Sequence, residues 1–152
     1  MPPDSLCVFG GFIMTIVGFS FTKLHAEKQK AQGALKVTNN ITLKGVEDAK
    51  VDFAGAKQMS LHFDFAFTST YDMEGKSGVA SLSFEGFVVY LAKQDEGKKI
   101  LDEWKKTKKV DTKILERILN HALDKCNIEA IILSKEIGLP APVKLPRITA
   151  KQ

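Results

Sequence analysis

SLHFDFAFTSTY, Ser60 to Tyr71, alternates apolar and polar residues with the two-residue period of a β-strand. Leu61, Phe63, Phe65 and Phe67 fall on one side, and His62, Asp64, Ala66, Thr68 and Thr70 on the other. One apolar face and one polar face describe an antiparallel sheet covered on one side only. Asp72 to Gly78 follows with two glycines and predicts a hairpin turn. The returning strand, Gly78 to Ala92 (GVASLSFEGFVVYLA), is apolar on both sides in its second half, where Phe87, Val89 and Leu91 oppose Val88 and Tyr90. A helix or a second sheet is therefore expected over both faces there.

Working outward, Leu35 to Leu43 (LKVTNNITL) is a further strand. Its apolar residues Leu35, Val37, Ile41 and Leu43 share one side, and only Asn39 breaks the row. A first strand is predicted near 15–27, where Val17, Phe19 and Phe21 alternate with Gly18, Ser20 and Thr22. Lys44 to Lys57 reads as a loop or a helical turn. Beyond the strands the period changes to that of a helix. Asp95 to Lys106 predicts a short helix with Ile100, Leu101 and Trp104 inward. Asp111 is the expected N-cap of a long helix. Leu115, Ile118, Leu119, Ala122, Cys126, Ala130, Leu133 and Ile137 then step by threes and fours, and Gly138 suits the C-terminal cap. Pro140, Pro142 and Pro146 forbid more helix, so the tail is expected to lie extended with Val143 and Leu145 on one side. Strands first and helices after them make an α+β fold: a four-stranded antiparallel sheet packed against a long C-terminal helix plus a short helix.

The chain has 152 residues, enough for one domain that buries roughly 70% of its unfolded surface without disulfide or metal support. Two cysteines exclude a disulfide-rich scaffold and a four-cysteine zinc site, and point to the cytoplasm. The net charge of +4 permits an acidic partner without requiring one. Leu6 to Phe21 is uncharged over 16 residues, shorter than the ~20 that a membrane span needs, and no basic region precedes it as a secretory signal would require. Residues 1–13 are expected to be an apolar leader from an upstream start, with Met14 the natural start and 14–152 a single domain.

No catalytic constellation emerges. Gly75-Lys76-Ser77 lacks the earlier glycine of a phosphate-binding loop and precedes a strand instead of a helix. His25, His62 and His121 show no metal-ligand spacing. His62 and Asp64 share a strand face ~7 Å apart, which suits an exposed polar face better than a general base. Cys126 lies on the apolar stripe and reads as a buried structural thiol. Lys93 to Lys113 carries eight positive against five negative charges, many of them in i, i+4 pairs, which is a solvated helix face and not a nucleic-acid surface. Neither an enzyme nor a cofactor is expected.

The order of parts resembles the SecB export-chaperone fold and an archaeal family of its distant relatives. The resemblance spans roughly 14–148 and is carried by Gly18-Phe19-Ser20-Phe21-Thr22-Lys23, by Asn39-Asn40-Ile41 and above all by LNHALDKCNIEAIILSKEIGLPAPVKLPRI, Leu119 to Ile148. Cys126, Gly138, Pro140, Pro142, Val143 and Leu145 match in kind the end segment of bacterial SecB. Two features depart from that pattern: the charged helix with Trp104, and a basic balance where bacterial SecB is acidic. The resemblance implies an ATP-independent holdase, a homo-oligomer (dimer or tetramer) that binds apolar segments of unfolded polypeptides, with no membrane insertion. Phe65 and Phe67 of the strand, with Ile128, Ile131 and Ile132 of the long helix, are the residues it suggests for a peptide groove. The Phe63, Phe65, Phe67 row can equally be sheet core. The alternative function is a non-catalytic adaptor of the same fold that recognises one partner protein, for instance a toxin–antitoxin component or translocation factor.

Overall fold

In the computed structural model, residues 6–9, 12–30, 33–49 and 58–143 are described, with side chains from residue 16 onward. Strands β1 (Leu6–Phe9), β2 (Phe12–Lys28), β3 (Leu35–Asp48), β4 (Gln58–Met73) and β5 (Lys76–Lys93) precede helices α1 (Gln94–Thr107) and α2 (Thr112–Glu136). The sheet runs β1-β2-β5-β4-β3, every neighbouring pair antiparallel. β2 to β5 form the expected four-stranded sheet. The short β1 lengthens one edge, pairing Leu6 with Thr15 and Phe9 with Phe12. No described helix is long and apolar enough to cross a membrane. Leu145 and Pro146 lie outside the described residues, as do the side chains of Cys7 and Met14.

The β4–β5 turn falls at Glu74-Gly75, where Gly75 takes φ +79°, a conformation that costs other residues more. The Asp72 carboxylate accepts the Gly78 N–H at 2.8 Å and ties the turn across. The Gly-Lys-Ser triplet is thus hairpin. β3 does not stop at Leu43. A bulge between Leu43 and Gly45 shifts the register by one, returning Val46 to the inner side, where it is buried opposite Phe63. The predicted loop from Lys44 therefore begins as strand.

α2 lies on the sheet face that carries Phe63, Phe65 and Phe67 of β4 and Leu82, Phe84, Val88 and Tyr90 of β5, all fully buried. Phe65 and Phe67 are 1% and 0% exposed, so they are core. The suggestion that they line an open groove is corrected: the long helix that covers the sheet leaves no surface on either ring. Phe67 stacks on Phe84 at 5.5 Å, and Phe65 on Phe19 at 5.4 Å. Gly86, opposite Phe65, admits no side chain, because a Cβ there would collide with the Ser20 carbonyl oxygen. The opposite sheet face differs from expectation. Phe87, Val89 and Leu91 are only half-buried there, and the His62 ring stacked on Phe87 at 4.3 Å supplies part of their cover.

α2 approaches the rings closely because its inner stripe is small. Ile118, Ala122, Cys126, Ala130 and Ser134 recur every fourth residue and are buried. The helix ends in a Schellman motif: Gly138, at φ +70°, donates its N–H to Lys135, and the Leu139 N–H reaches the Ser134 carbonyl at 2.7 Å. Asp111 caps by position only, without a side-chain hydrogen bond.

Candidate functional site

Beyond Thr15, no described strand pairs with the outer edge of β2. Register shifts at Ile16/Gly18 and Phe21/Lys23 bulge the strand at Val17 and Thr22. Between this edge and α2 runs an open groove of about 760 Å³, lined by β2 from Ile16 to Phe21 and by His121, Lys125, Ile128 and Glu129 of α2. Phe19 and Phe21 make its floor, edge to face at 4.9 Å and packed on the core. The groove is continuous at Ile16 and His121 with a second hollow of about 490 Å³ beside Arg117, Asn120 and Asp124.

Four large apolar side chains are exposed among the described residues: Val17 (44%), Leu24 (45%), Ile128 (59%) and Ile132 (48%). All four belong to the two elements that flank the groove. Val17 is turned out by a bulge, and Leu24 lies further along the same strand. Ile128 and Ile132 are one turn apart on the same side of α2. Ile131 is half-buried and does not pack on the core. Of the residues named from sequence, only Ile128 lines the groove; Ile132, one turn on, is exposed beyond its lining, and Ile131 is half-buried on the outer side of the helix. Phe65 reaches the groove only through Phe19 and Phe21, and Phe67 is not among its lining residues. Val17, Phe19, Phe21 and Leu24 were missed as site residues. Their alternation announced a strand, but only sheet order makes that strand an edge.

The rim is polar. His121 meets the Phe19 ring edge-on at 5.9 Å. Burial and the Lys125 ammonium lower its pKa, against the pull of Asp124. On the open sheet face, burial and Glu47 raise the Asp64 pKa while His62 opposes them. Burial pushes the Cys126 thiol up to about 12, so it holds its proton at neutral pH and is no nucleophile. Among the described residues, no group of three His, Cys, Asp or Glu is placed to hold a metal ion. A smaller hollow of about 360 Å³ between α1 and α2 carries both signs of charge, from Glu96, Lys99, Glu103 and Asp111 among others.

No protein-family model matches the chain, and no curated protein does. Among solved structures, the Mycobacterium tuberculosis Rv1957 SecB-like chaperone, in complex with a ChAD peptide from the Rv1956 HigA1 antitoxin, aligns with a TM-score of 0.54. The alignment covers 91% of this chain and 93% of that one at 14% sequence identity. The fold is SecB-like. At such identity the likeness is one of architecture, and what the SecB-like fold does in this chain must be argued from its own groove.

Proposed function

We propose that this chain is an ATP-independent holdase, a cytoplasmic homo-oligomer (dimer or tetramer) that binds apolar segments of unfolded polypeptides in the groove between β2 and α2. The observation that carries the proposal is the pair of exposed apolar side chains Val17 and Ile128 lining that groove from its two sides, with Leu24 and Ile132 exposed further along the same two elements. Fully burying one such side chain contributes about 1.5–3 kcal/mol, and each of these is about half exposed, so a segment that covers Val17 and Ile128 recovers part of that for each. The free edge of β2 adds backbone hydrogen bonds that do not depend on client sequence. Together they suit extended, apolar clients of varied sequence. The likeness to a chaperone solved with a bound peptide supports polypeptide binding.

A second reading, an adaptor for one partner polypeptide, is favoured by one observation: the peptide in that related complex comes from a single antitoxin. Light scattering by a chemically unfolded client, with and without this protein and without nucleotide, separates the two. The holdase suppresses scattering at near-stoichiometric amounts and loses several-fold potency in the Ile128→Ser, Ile132→Ser double variant. A folded protein that leaves scattering unchanged overturns the holdase and directs the search to one specific partner by pull-down.

A further inference from the structure

The segment after α2 crosses the sheet as a strap whose backbone is read by side chains of three strands. Lys28 Nζ of β2 donates to the Gly138 carbonyl at 3.0 Å. Tyr71 Oη of β4 donates to the Pro140 carbonyl at 2.7 Å, and Asn39 Nδ2 of β3 to the Pro142 carbonyl at 2.7 Å. The acceptors therefore fall on every second residue. Ser69 Oγ donates to Asn39 Oδ1 at 2.6 Å, which turns the amide so that its NH₂ faces the strap. Leu139 and Pro142 are buried beneath these contacts.

This arrangement has two consequences. All three contacts take carbonyls and none takes an N–H, so the site accepts proline at the positions where a strand ladder would reject it. Pro140 and Pro142 occupy it in this chain. Second, Tyr71 and Ser69 are fully buried. Removing the strap takes away the acceptor of the buried Tyr71 hydroxyl and forfeits that bond, while the amide of the exposed Asn39 exchanges its acceptor for water. Exchange for another segment with carbonyls at the same spacing avoids that loss.

The geometry points to a peptide slot that the chain fills with its own residues 138–142 and that takes, by exchange, an extended proline-containing segment of another polypeptide. Backbone carbonyls at two-residue spacing supply the recognition, and an apolar residue in place of Leu139 supplies the anchor. The inference does not rest on the client groove, and its test uses a ligand of known sequence.

The probe is a fluorescent peptide with the sequence of residues 137–143 (IGLPAPV), and its binding is read by anisotropy on the full chain. In the unaltered chain the strap competes at the high effective concentration of a tethered ligand. Leu139→Ala weakens the strap and leaves the slot intact, so this variant binds the peptide about tenfold more tightly than the unaltered chain does. Adding Tyr71→Phe then lowers the affinity about fivefold, while N-methylation of the peptide at the position of Ala141 leaves it unchanged. Equal binding by the Leu139→Ala and unaltered chains overturns the proposal, as does full affinity after Tyr71→Phe. If circular dichroism shows that Leu139→Ala does not fold, Pro142→Ala takes its place with the same outcomes.

Discussion

Helix α2 presents two apolar stripes that differ in both size and exposure. The inner one, Ile118, Ala122, Cys126 and Ala130, is mostly small and completely buried. The outer one, Ile128, Ile131 and Ile132, is β-branched and leaves Ile128 59% exposed. The sheet explains the first. Phe63, Phe65, Phe67 and Phe84 fill the space between the layers, and small helix residues let the two surfaces meet at interior density. Nothing among the described residues explains the second. Isoleucine is a mediocre helix former, and a solvated helix face has better choices. Under the proposed function, large apolar residues kept on the surface, next to a strand edge that no described strand pairs beyond Thr15, make the outer stripe a surface for binding and the inner one a surface for folding.

The comparison predicts opposite consequences on the two sides. The largest effect belongs to the folding side: Phe65→Ala removes a fully buried ring and lowers the unfolding free energy by about 3–5 kcal/mol in urea titration. Ala122→Leu overfills the same layer and costs about 1–3 kcal/mol by the same measurement. On the binding side, Ile128→Ser leaves stability within about 0.5 kcal/mol while it weakens client protection. A large loss of stability in that variant would show that the outer stripe also supports the fold and would erase the distinction.

Two titratable groups sharpen it further. Cys126, with its thiol pushed up to about 12 and fully buried, resists alkylation at neutral pH in a Cys7→Ser background, and reacts once denaturant unfolds the chain. His121 sits at the rim between the stripes, and its pKa is lowered in the folded protein from an ordinary 6.5. Below that value the unfolded chain binds the proton more readily than the folded one, so His121's contribution to stability is complete above it and is lost as the pH falls. The urea midpoint therefore drops between about pH 7.5 and pH 5.5, and His121→Gln flattens that drop.

Much of the fold is legible in the residues because period and burial coincide. The alternation from Leu61 to Phe67 places β4, and the step of four from Ile118 to Ala130 places the inner face of α2. Gly138 marks the helix end because only a residue at ease with positive φ closes a Schellman motif cheaply. Legibility fails where a local rule is overridden from a distance. The bulge after Leu43 carries β3 through a glycine that reads as a loop. Asn39, the one polar residue in an apolar row, reads as a flaw and is in fact the donor that holds the strap at Pro142.

The candidate site divides along the same line. That Ile128 and Ile132 lie off the main stripe follows from helical geometry and the sequence alone, because residue spacing fixes direction around a helix. That Phe65 and Phe67 are core, while Val17 and Leu24 are surface, was decided only by tertiary structure. Alternation states which side of a strand a residue occupies. It does not state which side the helix covers, or which strand is left at the edge, since sheet order and helix placement depend on residues far apart in the chain.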